Sequence, residues 1–278
     1  MSAVDLQSNT AYAIEARQTL DQKGKTRAEL YAHQVVEISP ELRRLGITHL
    51  ACDAWYSKLK FVDPVIGAQL HLVGKLRNDA DLRWLYDGQY SGVGRPKRYD
   101  GKVNFDRDIS RFAFVGMLDD GIEVHTQIVY AKFLKRKIRV VMLRWRSGQV
   151  MSRALFYSTD TELDAMTLLA YYKARFQIEF LFRDAKQFTG LTHCQSRKKE
   201  AIHTHVNASL SALNILKAED RQAKQSDDQT VISIASWKRR EFNQHFMERL
   251  FSELGLSLKS EKVAQVYKDL SNYGVIAA

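Results

Sequence analysis

The sequence has few cysteines and no long apolar run. Its two cysteines, Cys52 and Cys194, are far apart, which argues against a disulfide framework and a clustered zinc site. No apolar stretch approaches the ~18 residues of a membrane span. The first ten residues also lack the apolar centre of a signal peptide. These absences predict a protein of the reducing cytoplasm that does not associate with membranes.

A surplus of positive charge is the main compositional feature. The formal net charge is +10, and residues 91–153 contain 14 Lys or Arg against 6 Asp or Glu, which is +8 of that total. A concentrated basic segment is typical of proteins that bind the phosphates of nucleic acids. The alternative is that these charges solvate an exposed sheet face and protect its edges from pairing. Composition alone leaves both interpretations open.

An α/β unit is predicted in the first third of the chain. Residues 47–52 form a short apolar run, which predicts a buried strand ending at Asp53. Residues 57–68 predict a helix, with Pro64 limiting its first turns, and residues 70–76 predict a second strand. The order strand, helix, strand favours two parallel strands in one sheet.

The rest of the chain divides into a β-rich middle and helical flanks. Asp119-Asp120-Gly121 and Ser147-Gly148 predict hairpin turns between strands. Thr159 or Asp160 is expected to cap the helix that follows the last strand. The predicted strands are 111–118, 122–133, 137–145 and 153–158, and the predicted helices are 10–45, 161–187, 200–217 and 233–255.

One stripe of the helix predicted at 161–187 carries the most informative pattern. At about 100° per residue, an unbroken helix places Tyr172, Arg175, Glu179, Arg183 and Lys186 on the same face. A carboxylate flanked by basic groups and a phenol suits a metal ion beside a phosphodiester. The alternative is an exposed polar face with ordinary ion pairs.

Four of these residues also fit a family signature. Tyr172, Arg175, Glu179 and Lys186 follow the spacing Tyr-x2-Arg-x3-Glu-x6-Lys. This pattern resembles that of DDE transposases of the insertion-sequence-four family, whose Glu is the third catalytic acid. The resemblance implies an α/β fold, namely a partial ribonuclease-H-like fold with an antiparallel β insertion and C-terminal helices.

Asp53 is the second candidate acid. An Asp at the carboxyl end of a buried strand lies where α/β folds place their active sites; the alternative is a simple cap of the next helix. In the family that the motif resembles, the second catalytic Asp ends a strand that precedes a helix, a strand, the β insertion and the Glu helix. Asp53 matches that order, so the resemblance implies Asp53 and Glu179 as catalytic metal ligands.

The resemblance further implies cut-and-paste DNA transposition by two-metal phosphoryl transfer, with two Mg²⁺ or Mn²⁺ ions in a complete site. Transposon ends and target DNA would be the partners, a homodimer is a further expectation, and no small-molecule substrate is expected. Tyr172, Arg175, Arg183 and Lys186 would contact DNA phosphates. Basic residues outside the motif would do the same: Arg95, Lys97 and Arg98 on a glycine-rich loop, and Lys135, Arg136 and Lys137 at a hairpin.

The first catalytic Asp of the family has no evident counterpart. Residues 10–45 read as helix rather than as the three strands that the family would have there, and neither Asp5 nor Asp21 ends an apolar strand. We therefore expect an N-terminally truncated, catalytically impaired transposase. The alternative is a non-catalytic DNA-binding remnant that interferes with full-length transposase. The segments on this hypothesis are a helical lead-in (1–46), a partial core with the second Asp (47–87), the basic β insertion (88–158), the Glu helix and the next helix completing the core (159–217), and a helical tail (218–278).

Overall fold

The computed structural model describes residues 1–90, 92, 94–223 and 233–275. The chain divides into two compact units. We call Thr19–Arg175 the sheet unit, and Met1–Gln18 together with Phe176–Ala278 the helical unit. Some predicted segments lie partly outside the described residues. They are the glycine-rich loop, at positions 91 and 93, and the C-terminal tail, at 224–232 and 276–278.

The described elements alternate at first and are helical at the end. In chain order they are β1 (Ser2–Asp5), β2 (Thr10–Ala13), α1 (Arg27–Arg44), β3 (His49–Cys52), α2 (Leu59–Gly67), β4 (His71–Leu76), β5 (Leu82–Leu85), β6 (Tyr99–Lys102), β7 (Ala113–Leu118), β8 (Ile122–Ala131), β9 (Arg136–Ser147), β10 (Val150–Ser158), α3 (Ala165–Ala174), α4 (Gln177–Phe188), α5 (Lys199–Ala223), α6 (Ile234–Glu253) and α7 (Glu261–Ser271).

One eight-stranded sheet forms the sheet unit. Its strands are hydrogen-bonded in the order β3-β4-β10-β9-β8-β5-β6, and β7 pairs with β8 beside this path. β3 and β4 run parallel, with His49 opposite His71 and Cys52 opposite Gly74, as the strand–helix–strand order predicted. The other neighbouring strands are antiparallel. Strands from both the predicted core segment and the predicted insertion therefore belong to one sheet.

The two predicted hairpins are confirmed. β7 and β8 are joined by Asp119-Asp120-Gly121, in which Asp120 and Gly121 have positive φ angles of 63° and 71°. β9 and β10 are joined at Gly148, which has a φ of 62°, and Ser147 pairs with Val150. Tight turns need such backbone conformations, and Gly and Asp adopt them at lower cost than most residues.

One buried cluster of the sheet unit lies between the sheet and α3. Leu168 and Leu169 of α3 pack with Val73, Val141 and Phe156 from three strands, all of them buried. The predicted cap of this helix was wrong. α3 begins five residues after Asp160, because the Asp164 carboxylate accepts hydrogen bonds from the backbone N–H groups of residues 166 and 167. Asp160 instead contacts His49.

The helical unit contains a two-stranded hairpin, β1 and β2, where the sequence predicts helix from residue 10 onward. β1 ends at Asp5, so the prediction that neither upstream aspartate ends a strand was wrong. Side chains from α5 hold its backbone. The Asn214 amide exchanges two hydrogen bonds with Ala13, of 2.9 and 2.7 Å. The Lys217 ammonium donates to the Ala11 carbonyl at 2.7 Å. Residues 10–13 are therefore a strand because a helix about 200 positions away satisfies backbone groups that β1 leaves unpaired.

The apolar centre of the helical unit joins that hairpin to three helices. Ala11 of β2 packs with Leu181 and Ala185 of α4, Leu213 of α5 and Ile234 of α6, each of them buried. α4 thus buries one face, as an amphipathic helix does. In the described ranges, every helix is too short or too polar to span a lipid bilayer.

Candidate functional site

Asp53 follows the last residue of β3 directly. Its backbone is extended, and a short 3₁₀ helix, Ala54–Tyr56, begins after it. The side chain makes no capping hydrogen bond to that helix and is 58% exposed. The alternative in which Asp53 merely caps the next helix is therefore not supported, because the carboxylate accepts no hydrogen bond from the first N–H groups of that helix.

Arg175 is the partner of Asp53. A guanidinium nitrogen of Arg175 (Nη1) lies 3.1 Å from Oδ1 of Asp53. The Arg175 side chain is 21% exposed, and its Nε is buried without a hydrogen-bond partner among the described residues. One residue of the Tyr-Arg-Glu-Lys signature thus contacts the strand-end carboxylate.

Tyr172 completes this cluster on α3. The Arg175 guanidinium lies 5.5 Å from the centre of the Tyr172 ring, a cation–π contact. The same ring packs against Phe156 with centroids 4.7 Å apart. Burial raises the pKa of the Tyr172 phenol, with Arg175 opposing the shift. Tyr172 therefore positions the guanidinium while staying protonated at neutral pH.

The Cys52 thiol, directly before Asp53 in the chain, is not expected to react at this cluster. Cys52 is buried at the end of β3, and burial, helped by the neighbouring Asp53 charge, raises its thiol pKa to about 12. A thiol with so high a pKa supplies almost no thiolate at neutral pH, and the thiolate is the reactive form.

The predicted unbroken helix at 161–187 was wrong. This segment forms two helices, α3 and α4, which are separated at Arg175 and Phe176. Both of these residues keep helical backbone angles. The four-turn stripe calculated for an unbroken helix is therefore divided: Tyr172 and Arg175 belong to the sheet unit, and the remaining stripe residues belong to α4 in the helical unit.

On α4 the predicted acidic and basic residues lie on the exposed side. Glu179 is in the first turn, where a negative charge interacts favourably with the helix dipole. Arg183 donates two hydrogen bonds to Asp184, of 3.0 and 2.9 Å, and lies over the Phe180 ring. Lys186 is exposed in the last turn. Arg183 is therefore partly neutralised, and Glu179 and Lys186 are accessible.

The basic residues predicted to bind phosphate outside the motif have different surroundings. Arg95 and Arg98 are exposed on the loop between β5 and β6, and Lys97 pairs with Asp100 at 2.9 Å. Arg136 contacts Asp63 and donates to the Leu134 carbonyl at 3.0 Å. Lys135, in a left-handed turn conformation, and Lys137 are exposed. Arg136 is thus tied to the fold more firmly than its two neighbours.

Sequence reasoning missed two clusters near the ends of β3. At the start of the strand, His49 Nε2 lies 3.2 Å from Asp160, and its ring stacks on His71 with centroids 5.3 Å apart. Burial lowers the pKa of His49, with Asp160 opposing the shift. After the strand, Trp55 is 43% exposed with the Lys58 ammonium 3.7 Å above its ring. The closeness of an aromatic and a lysine to Asp53 in the sequence was the available signal for the second cluster.

Comparison with known families agrees with the motif. Residues 3–215 match the family described as the transposase DDE domain. The chain belongs to that family. Among curated proteins, none matches this transposase domain. Its mixed α/β architecture, a mostly antiparallel sheet with helices, is compatible with the family's fold.

Members of this family usually use divalent metal ions, which must be held by donor groups of the transposase domain. A two-ion site requires several carboxylate oxygens directed at one point. Among the described residues, no group of three His, Cys, Asp or Glu side chains is arranged to hold a metal. The Asp53 carboxylate is already engaged by Arg175. The residues that the structure describes therefore do not fit a complete metal site.

Proposed function

We propose that this chain is the catalytic-domain portion of a cut-and-paste DNA transposase of the insertion-sequence-four type. Its core would be ribonuclease-H-like, made of 47–87 and 159–217 and interrupted by the basic insertion 88–158. Two observations support this proposal: the family match and the order of the elements along the chain. That order is a strand, Asp53, a helix, a parallel strand, several antiparallel strands and then the helices that carry the signature. DNA is then the partner, as transposon ends and as target.

The observation that carries the proposal is the contact between Arg175 and Asp53. A residue of the signature and the strand-end carboxylate are far apart in the chain, yet the guanidinium and the carboxylate are 3.1 Å apart. A chance pattern on a surface helix gives no reason for that meeting. We propose Asp53 and Glu179 as the two acidic catalytic positions, and Tyr172, Arg175, Arg183 and Lys186 as groups that hold DNA.

We further propose that cleavage by this chain alone is impaired. Two acidic positions are fewer than the three that the family uses for Mg²⁺ or Mn²⁺, and the described residues offer no set of three donors. Arg175 can instead hold a phosphate when DNA displaces it from Asp53, since a guanidinium binds carboxylate and phosphate in the same geometry. Binding without efficient cleavage is the expected behaviour.

The test is a pair of assays on the purified chain. Anisotropy of a labelled duplex should show binding that weakens steeply with salt. Nicking of supercoiled plasmid with Mg²⁺ or Mn²⁺ should not exceed that of an Asp53→Asn/Glu179→Gln control. Robust nicking that Asp53→Ala abolishes would overturn the impairment and leave the transposase assignment in place. Absence of any DNA binding at low salt would overturn the proposed function itself.

A non-catalytic DNA-binding role is the second candidate function. Two observations favour it: basic side chains are exposed, and the residues with described positions contain no group of three donors that could hold a metal. Such a protein would interfere with a full-length transposase, by occupying DNA or by forming a mixed dimer. It is distinguished by adding the chain to an active transposase of the same element. Inhibition that persists in the Asp53→Asn/Glu179→Gln variant supports interference without catalysis.

The exposed lysines of the hairpin between β8 and β9 give a prediction of their own. Changing Lys135 and Lys137 together to Ala should reduce the slope of log affinity for duplex DNA against log salt by up to about 2, because each phosphate contact contributes about 0.9. The Lys262→Ala/Lys268→Ala variant on α7 removes the same charge and is the control. Equal slopes for the two variants would assign the hairpin lysines to solubility. Arg136 is left unchanged because its contact with Asp63 makes its loss a change in structure as well.

A further inference from the structure

A small groove lies between the first turn of α1 and the start of α2. Its volume is about 280 Å³. Trp55 forms one wall, and three cationic side chains line it: Arg27, Lys58 and Lys60. No acidic side chain is among the residues that line it. The lining surface is mostly apolar, and it combines a flat aromatic ring with the stems of three basic side chains.

One of the three cations is neutralised by a carboxylate, whereas the other two form no salt bridge with any residue whose position is described. Lys60 lies 3.1 Å from the Glu29 carboxylate. Hydrogen bonds from Thr26, together with Lys60, lower the pKa of Glu29 to about 2, so this carboxylate stays charged and in place. Arg27 is exposed, and Lys58 is exposed with its ammonium over the indole. Arg27 and Lys58 are thus the groups available to a second anion.

Trp55 is held rigidly although it is 43% exposed. The ring of Tyr31 lies 5.7 Å from it and the ring of Tyr56 lies 5.1 Å from it, both at a steep angle. The Lys58 ammonium covers part of the indole at 3.7 Å. A lysine on a flexible stem can swing away from an aromatic face to a nearby phosphate, which leaves that face open for a planar group.

We propose that this groove binds one unpaired nucleotide of a DNA strand. The base stacks on Trp55, and the flanking phosphates are bound by Arg27 and Lys58. Aromatic stacking beside a positively charged track is how proteins hold single strands without sequence preference. The groove lies at the lower end of the size range of ligand pockets, which fits a single base. Since Trp55 follows Asp53 by two residues, the nucleotide lies next to the proposed acidic position, and the inference rests on the proposed function.

The experiment uses the full chain and a labelled ~20-nucleotide oligo-dT strand, followed by anisotropy across a range of salt concentrations. Trp55→Ala should weaken binding about 5- to 150-fold, the loss expected for one stacked base. Trp55→Phe should restore most of the affinity. Arg27→Ala/Lys58→Ala should lower the salt slope by about 1.4, because each contact to a single strand contributes about 0.7. Lys268→Ala, which removes an exposed charge on α7, should change the slope little.

A fluorescence measurement locates the strand independently of stability. Oligo-dT should quench the tryptophan emission of the unchanged chain, and the quenching should disappear in Trp55→Phe while anisotropy still reports binding. Unchanged affinity in Trp55→Ala, or quenching that persists in Trp55→Phe, overturns the groove and leaves the proposed function standing if duplex binding is intact. Failure to bind any DNA overturns both.

Discussion

Replacing Phe61 with alanine should lower the free energy of unfolding of the sheet unit by about 3–5 kcal/mol. The Phe61 side chain is 1% exposed on α2, and its ring packs against Tyr56 with centroids 4.9 Å apart. Its loss leaves a cavity beneath the segment that carries Asp53 and Trp55. Urea denaturation followed by far-ultraviolet circular dichroism measures the change, and DNA binding should fall with the folded fraction.

Phe114 provides the matched control for this prediction. It is also a phenylalanine of the sheet unit, but it is 59% exposed on β7, where it contacts the ring of His125. Phe114→Ala should alter the unfolding free energy by no more than about 0.5 kcal/mol. Similar losses for the two variants would show that α2 does not pack as described.

Leu181→Ala should destabilise the helical unit by about 2–5 kcal/mol. Leu181 is 2% exposed on α4 and packs with Ala11, Leu213 and Ile234 from the hairpin and two further helices. Removing it opens a cavity where these elements meet, on the helix that presents Glu179. Thermal and urea denaturation should both show the loss, and protease digestion should reach α4 earlier than in the unchanged chain.

Leu250→Ala is the control for the helical unit. Leu250 is on α6 and is 42% exposed, so its truncation removes little buried surface. The expected change is within about 0.5 kcal/mol. A loss for Leu250→Ala as large as that for Leu181→Ala would contradict the assignment of the buried face of α4.

Elements that depend on local pattern were predictable from the sequence. The parallel pair around Asp53 and the two hairpins closed by Gly121 and Gly148 follow from hydrophobic runs and turn residues close together in the chain. The four-residue signature pointed to DDE transposases, and the comparison shows the transposase DDE domain. In each case the residues that specify the element lie within a few tens of positions of one another, so contacts with distant segments did not change the predicted element.

The errors have longer-range causes. Asp164, rather than Asp160, caps α3, because the sheet takes Ser158 as the last residue of β10 and His49 engages Asp160. The hairpin of β1 and β2 has short, mixed strands with no clear period. It forms because the side-chain amide of Asn214 on α5 hydrogen-bonds to its backbone. No window of local sequence contains both partners of such a contact.

The sequence by itself determined that Asp53 directly follows a strand, and that Tyr172, Arg175, Glu179 and Lys186 keep the spacing of a transposase signature. The strand is less buried than predicted, because only Cys52 of its four residues is buried. The tertiary structure decided that the signature spans two helices, that Arg175 neutralises Asp53, and that Trp55 is left partly exposed with the Lys58 ammonium over its ring. The division follows from physics. Spacing along the chain fixes which residues can share a strand or helix, whereas an ion pair or a groove depends on packing that brings distant segments within a few ångströms.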